Sequence, residues 1–166
     1  MNIIGLDVSA NRIAWAWLYR ERLQGSACEE CARGLSKDII VDIAKSLHAD
    51  DAVYCLEINT RPKLMHKGRV SPQMVKSYMR SRWVEGRLLQ ELGLPEPVVI
   101  TNKMRAFGIG MGSSIYAIQA SAEKKTVRRN RMELLYQPKR QLSQDEIDAL
   151  AVAHQLSVAM KMARAK

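Results

Sequence analysis

The chain contains two short, nearly continuous apolar runs, at residues 2–8 and 52–58. Such runs suit strands that are buried on both faces of a sheet, as in layered α/β proteins. Residues 12–19 are rich in Ile, Trp and Tyr and follow the first run after the turn at residues 9–11. These two segments therefore predict a hairpin, and the second apolar run predicts a further buried strand.

The remaining segments predict one domain over residues 1–166, with a mixed five-stranded sheet flanked by helices. Further strands are predicted at 22–28 and 98–101. Helices are predicted at 36–48, at 73–92 with Trp83 on its apolar side, at 121–135, and from 143 to the C-terminus. Residues 59–72 have no apolar period and carry two Pro and one Gly, so we expect a loop there.

The charge of the chain is concentrated in its middle. The net charge is +9, and residues 61–140 carry seventeen Lys/Arg against five Asp/Glu, whereas residues 1–60 carry six against nine. One positive face of this kind attracts polyanions, although a solvated surface is the alternative explanation. The sequence has no apolar run near the roughly 18 residues that a membrane span needs, and it lacks a basic, apolar signal peptide. We therefore expect a cytoplasmic protein with no membrane partner.

Four carboxylates stand where ordinary surface acids are not expected. Asp7 lies in the first apolar run and Glu57 near the end of the second. A buried carboxylate is costly unless it is paired, protonated or bound to a cation. Asp145 and Asp148 share one face near the start of the last helix, whereas Glu146 points to another side. If these acids bind a metal ion, we therefore prefer Asp145 to Glu146 as its third ligand, after Asp7 and Glu57.

Together these four acids predict a metal-dependent hydrolytic site. Each acid alone could be a strand-end or first-turn residue, but the four could converge at one edge of a central sheet. Carboxylate clusters bind hard divalent cations, and two such ions about 3.5–4 Å apart can promote phosphodiester hydrolysis.

The cysteines and histidines favour no second site. Cys28, Cys31 and Cys55 are odd in number and lack a second Cys/His pair at zinc spacing, so a functional role is disfavoured. His154 is expected to be a packed histidine, and His66 is an unassigned candidate.

Four motifs occur along the chain: IIGLDVSANRIAWAWL at residues 3–18, LEIN at 56–59, SAEKK at 121–125 and DEIDALAVA at 145–153. In this order and spacing they resemble the RuvC-type Holliday junction resolvases of the RNase H-like superfamily over nearly the whole chain. Val8-Ser9 replaces the usual Pro-Gly of that family, as in a divergent member.

This resemblance implies a homodimer that binds a four-way DNA junction and nicks two strands symmetrically, in recombination and repair. It implies Mg²⁺, with Mn²⁺ able to substitute, two ions per active site and no small-molecule cofactor. The predicted helix at 73–92 would contribute to the dimer interface. The implied catalytic residues are Asp7, Glu57, Asp145, Asp148 and Lys124, of which the four acids are the metal ligands.

Two basic segments are predicted to contact DNA phosphates, although a solvated surface is the alternative for each. Like charges at helical spacing repel one another, so the density of cations in the second segment favours a polyanion partner. Lys124, Arg128 and Arg131 are expected to share one face of the predicted helix. The predicted DNA contacts are Arg61, Lys63, Lys67 and Arg69 in the first segment, and Lys125, Arg128, Arg129 and Arg131 in the second.

Two other functions remain open from the sequence. One is an RNase H-like nuclease that acts on RNA or RNA–DNA hybrids, which shares the carboxylates but recognises the 2′-hydroxyl. The other is a non-catalytic junction-binding protein with a degenerate metal site.

Overall fold

The computed structural model describes residues 1–49, 51–57, 65–66, 69–94, 98–100 and 121–165, with side chains at all of these except 65–66 and 121–124. The strands are β1 (Asn2–Val8), β2 (Arg12–Tyr19), β3 (Arg22–Glu30), β4 (Ala52–Glu57), β5 (Met65–His66), β6 (Arg69–Val70) and β7 (Val98–Ile100). The helices are α1 (Lys37–Leu47), α2 (Pro72–Glu91), α3 (Ser121–Tyr136) and α4 (Gln144–Arg164).

Five of the strands form one mixed sheet in the order β3-β2-β1-β4-β7. The β1–β2 and β2–β3 pairs are antiparallel, and the β1–β4 and β4–β7 pairs are parallel. The predicted five-stranded mixed sheet is therefore confirmed, and each predicted helix and strand lies within two residues of its expected bounds. The prediction of a loop throughout 59–72 is wrong, because β5 and β6 form a short antiparallel pair. Two-residue strands are too short to show an alternating pattern in a sequence.

Helices cover both faces of the sheet. On one face, Ile4 and Leu6 of β1 pack in a core with residues of α1 and α2. On the other face, Ile3 packs in a core with α3 and α4. Because side chains alternate along a strand, Gly5 and Asp7 lie on the same face as Ile3, towards α4.

Gly5 allows α4 to approach β1 closely. A Cβ atom added there would lie 2.2 Å from the Ala149 carbonyl oxygen and 2.7 Å from the Ala153 backbone nitrogen. Small side chains on β2, at Ala14 and Ala16, are also fully buried in this core. The helix that carries two of the candidate acids is thus seated directly on the central strand.

The side of α2 that is buried differs from the expected one. Trp83 is 43% exposed, and the neighbouring Val84 is fully buried. The Arg80 guanidinium stacks over the Trp83 ring, with its carbon 4.1 Å from the ring centroid. Met79 is also exposed, so α2 presents a partly apolar outer surface. In the described part of the chain, no helix has the length and apolarity needed to cross a membrane.

Candidate active site

Asp7 and Glu57 lie at the carboxyl ends of neighbouring parallel strands. The last pair of the β1–β4 ladder joins the two residues that immediately precede them. Both are half-buried. Cys55, two residues before Glu57, packs in the α4-side core, so Glu57 lies on the same face of the sheet as Asp7. The fold therefore places these two acids side by side at one edge of the sheet, where the sequence predicted that acids could converge.

The start of α4 reaches the same end of the sheet. The beginning of β1 shares a small cavity with the carboxyl-terminal part of α4, whereas Gly5 lies against the backbone at Ala149. The helix therefore runs opposite to β1. Asp7 lies two residues beyond Gly5, which is about 7 Å along β1. Asp145 lies four residues before Ala149, which is about 6 Å along α4 in the same direction. The start of α4, with Asp145, consequently lies towards the same end of the sheet as Asp7.

The first turn of α4 is held by a cap and by a buried network around Glu146. The Ser143 hydroxyl accepts a hydrogen bond from the Glu146 amide, and the Glu146 carboxylate accepts one from the Ser143 amide, which confirms the predicted capping box. The same carboxylate accepts hydrogen bonds from Ser26 on β3 and from Arg140. Burial by itself raises the pKa of Glu146, but these hydrogen bonds outweigh it and lower the pKa to about 2. Glu146 thus anchors α4 to β3, on a different side of the helix from Asp145 and Asp148.

Two arginines from other elements bind the acid pair of α4. Arg12, the first residue of β2, donates a hydrogen bond from Nη1 to Oδ2 of Asp145 at 2.9 Å. Arg128 of α3 donates from Nη1 to Oδ1 of Asp148. The side-chain Nε2 of Gln144 also donates to Oδ1 of Asp148, at 3.0 Å. The Arg128–Asp148 pair is shielded from water, because its side chains are only 6% and 14% exposed, whereas the Arg12–Asp145 pair is partly exposed, at 37% and 24%.

The chemistry of the donor set suits a hard divalent cation. Carboxylate oxygens are the ligands that Mg²⁺ and Mn²⁺ prefer in proteins. Among the side chains that the structure describes, however, no three acid, His or Cys groups stand close enough together to hold a metal ion. Asp145 and Asp148 instead direct oxygens to guanidinium groups. The acids thus have the right chemistry and lie at one end of the sheet, in an arrangement where arginines neutralise part of their charge.

The basic residues of α3 differ in their environments. Lys125 and Arg131 are exposed, as expected for residues that contact DNA. Arg129 is half-buried, where it pairs with Glu133 at 3.2 Å and donates to the Leu142 carbonyl oxygen at 2.8 Å. The expectation that Arg128 belongs to the exposed basic face is wrong, because this residue is 5% exposed and faces α4.

The other basic candidates are described only in part. Arg69 is exposed on β6. Lys124 lies within α3, but its side chain is outside the described set, as is that of His66. Arg61, Lys63 and Lys67 lie outside the described residues. Their contacts with DNA stay predictions.

Cys28 and His154 are packed side chains. Burial, and then the negative charge of Asp145, raise the pKa of the Cys28 thiol to about 11, so it is protonated at neutral pH. His154 is half-buried, and its Nδ1 lies 2.7 Å from the Tyr136 hydroxyl oxygen. The prediction of a packed histidine at this position is confirmed.

The pairing of Arg12 and Arg128 with these acids was not predicted from the sequence. Arg12 could have been found, because it begins the second strand of the hairpin and so returns to the end of the sheet where Asp7 lies. Arg128 carries no comparable signal. Its pairing depends on how α3 packs against α4, which the sequence pattern does not specify.

Comparison with known proteins identifies the fold. No protein-family model and no curated protein matches the sequence. The structure of Thermus thermophilus RuvC is similar, with a TM-score of 0.69, 13% sequence identity and coverage of 98% of this chain and 97% of that one. T. thermophilus RuvC in complex with a Holliday junction substrate gives a TM-score of 0.69, 12% identity and coverage of 98% and 96%. The chain therefore has the RNase H-like fold of RuvC over nearly its whole length, as the four motifs predicted.

Proposed function

We propose that this protein is a divalent-metal-dependent endonuclease that resolves four-way DNA junctions by paired, symmetric nicks, in recombination and repair. Two observations support the proposal: the fold resembles that of RuvC over 98% of the chain, and Asp7 and Glu57 follow neighbouring residues of two parallel strands while Asp145 and Asp148 lie near the start of the helix that packs on β1. Capping alone explains single acids but does not explain why acids of two strands and one helix lie towards the same end of the sheet.

The four acids would hold Mg²⁺, or Mn²⁺ in its place, with two ions per active site. Such ions, when bound, activate a water molecule and stabilise the leaving oxygen of a phosphodiester. The chain itself contributes rigid placement, because two acids continue paired strands and two lie on a helix that is seated on β1. The amides at the start of α4 also lessen the repulsion between Asp145 and Asp148.

Exposed cations on α3 and β6 support a nucleic-acid substrate. Lys125, Arg131 and Arg69 are available to phosphates, and Lys124 is proposed to stabilise charge on the attacked phosphate. T. thermophilus RuvC, which has a similar fold, has been solved in complex with a Holliday junction substrate. Binding should therefore weaken steeply as the salt concentration rises.

Symmetric nicking needs two active sites, and we propose that α2 joins two copies of the chain. Its outer surface exposes Met79 at 62% and Trp83 at 43%. Large apolar side chains of this kind are enriched at protein interfaces. Sedimentation at several concentrations would test the dimer.

The decisive experiment is cleavage of a fixed, end-labelled four-way junction, with a linear duplex and an RNA–DNA hybrid as competing substrates, with and without Mg²⁺. We expect paired nicks at symmetric positions, only on the junction and only with the metal. Preferred cutting of the hybrid would instead support a nuclease of RNA-containing duplexes. Junction binding without any cutting would support a non-catalytic binding protein.

Substitution of the acids tests their roles in cleavage. We expect Asp7→Asn, Glu57→Gln and Asp148→Asn each to reduce cleavage at least about 100-fold while junction binding persists, since metal-ion stabilisation is worth several kcal/mol. Asp42→Asn is the matched control, because Asp42 is 78% exposed on α1, on the opposite face of the sheet. Unchanged cleavage by the three site variants would contradict the assignment.

A further inference from the structure

The acid pair of α4 is held by cations that come from two separate elements. Arg12 reaches Asp145 from the first position of β2, and Arg128 reaches Asp148 from the middle of α3. Neither arginine is a neighbour of its acid on the same helix, so helical spacing does not account for these pairs. Three elements are instead tied together at the end of the sheet where Asp7 and Glu57 also lie.

The two guanidinium groups are incompletely bonded. Each has five N–H donors in a planar fork. Within the described residues, the buried Nε atoms of Arg12 and Arg128 have no hydrogen-bond partner. An unpaired buried donor is unfavourable, so the attraction of each carboxylate, rather than a saturated polar network, keeps its arginine in place. Such pairs can exchange when a stronger ligand for the carboxylate arrives.

A divalent cation bound to these acids would compete with the arginines for the negative charge of the carboxylates. Oδ2 of Asp145 and Oδ1 of Asp148 both accept arginine N–H groups. A bound ion with two positive charges would also repel a guanidinium that stays beside the same carboxylate, and repulsion is strong in a shielded site. Metal and arginine therefore compete for the acid pair.

We propose that Arg12 and Arg128 are resident counter-ions of Asp145 and Asp148, and that they leave these acids when a divalent cation binds. The inference rests on the proposed function only in taking the acid pair to be part of a metal-binding set. In this mechanism the site has two forms, one closed by arginines and one occupied by metal. The arginines are positioning residues that set the affinity of the site for metal.

Metal binding by the purified full-length protein tests the competition without any use of DNA. We expect Arg12→Gln and Arg128→Gln to bind Mn²⁺ about ten-fold more tightly in calorimetry, since a charge-assisted hydrogen bond is worth about one decade of affinity. Arg131→Gln is the matched control, because it removes the same charge from an exposed position on α3. Its affinity should stay within about two-fold of the wild type, as expected for a remote, solvent-screened charge.

Several results would overturn the proposal. The first is that both site variants bind Mn²⁺ no more tightly than the wild type. The second is that Arg131→Gln gains as much affinity for Mn²⁺ as the site variants do. The third is that none of the four proteins binds Mn²⁺.

A second measurement uses the wild-type protein and so does not depend on the folding of variants. The guanidinium Nε–H signals of Arg12 and Arg128 can be followed by NMR during a Mg²⁺ titration. We expect both signals to shift and saturate together, while the signal of Arg140, which pairs with Glu146, stays in place. Signals of Arg12 and Arg128 that do not move at saturating Mg²⁺ would overturn the proposal.

The two proposals fail in different ways. A protein whose arginine signals respond to Mg²⁺ but which cuts no junction would refute the proposed function and leave the counter-ion exchange standing. A protein that cuts junctions with Mg²⁺ while both arginine signals stay fixed would refute only the exchange.

Discussion

The contact between Gly5 and α4 makes a sharp prediction about stability. In Gly5→Ala, the new Cβ would lie 2.2 Å from the Ala149 carbonyl oxygen, 2.7 Å from the Ala153 backbone nitrogen and 2.9 Å from the Ala153 Cβ. Ordinary contacts of a Cβ atom begin near 3.4 Å. The helix must therefore move away from β1 by about 1 Å, because two of the three opposing atoms are backbone and cannot rotate aside.

The expected net loss of stability is at least about 2 kcal/mol. Overpacking a core usually destabilises by about 1–3 kcal/mol, and a clash with helix backbone belongs at or above the upper end. The added methyl group also restricts the unfolded chain, which offsets the loss by about 0.4–1 kcal/mol. Gly25→Ala provides the control, since a Cβ at this exposed position on β3 would meet nothing within 4 Å. That variant should be neutral or more stable by up to about 1 kcal/mol.

Urea unfolding measured by fluorescence of the three tryptophans gives the free energies of all three proteins. An unchanged dependence on urea concentration would show that the denatured state is comparable. Under that condition, the free energy of unfolding of Gly5→Ala can be compared directly with that of the wild type. A difference of less than about 1 kcal/mol would refute the close approach of α4 to β1, because the clash predicts a larger loss. The placement of the start of α4 towards the Asp7 end of the sheet would be refuted with it, since it was inferred from the same contact.

Two buried glutamates should respond to pH in opposite directions. The pKa of Glu146 is about 2, below the ordinary 4.5, so its charged form stabilises the fold above pH 4.5 and this contribution is lost as the pH falls from 4.5 towards 2. We expect Glu146→Gln to lose about 2–3 kcal/mol at pH 7, with a smaller difference from the wild type near pH 3; a difference that is the same at both pH values would contradict the assignment. The pKa of Glu85 is raised to about 7 by burial, against the influence of Arg82, so its charged form opposes folding as the pH rises from 4.5 through 7. We expect Glu85→Gln to be more stable than the wild type by about 1–2 kcal/mol at pH 8 and nearly equal to it at pH 5, and thermal unfolding that shows a loss at pH 8 would refute this.

The regular elements were predictable because burial dominates their sequences. The apolar run at residues 2–8 is buried on both faces of the sheet, and the structure begins and ends β1 there. Ser143 and Glu146 marked the start of the last helix because they satisfy its free amides, and both halves of the capping box are present. Periodicity also placed Asp145 and Asp148 on one face, which is a property of the helix alone.

The orientation of α2 was less predictable. Its sequence has apolar residues on more than one side, and the structure buries Val84 and Leu88 while it exposes Trp83. Hydrophobicity alone ranks a tryptophan as a core residue. The stacking of Arg80 on the Trp83 ring, and any contact with a second copy of the chain, depend on surroundings that the helix sequence does not encode.

The partners of the acids lie beyond any local pattern, since Arg12 and Asp145 are 133 positions apart. Electrostatics nevertheless requires that partners exist. Acids brought to a shielded end of a sheet must be neutralised, and removing one partner from a buried ion pair typically destabilises a protein by about 3–5 kcal/mol. Because Arg12 and Arg128 are themselves part of the chain, Asp145 and Asp148 can be brought together before any metal is bound. A fold that depended on metal alone would have to assemble these charges unpaired, so the arginine pairs would allow the proposed metal ligands to coexist with a stable metal-free protein.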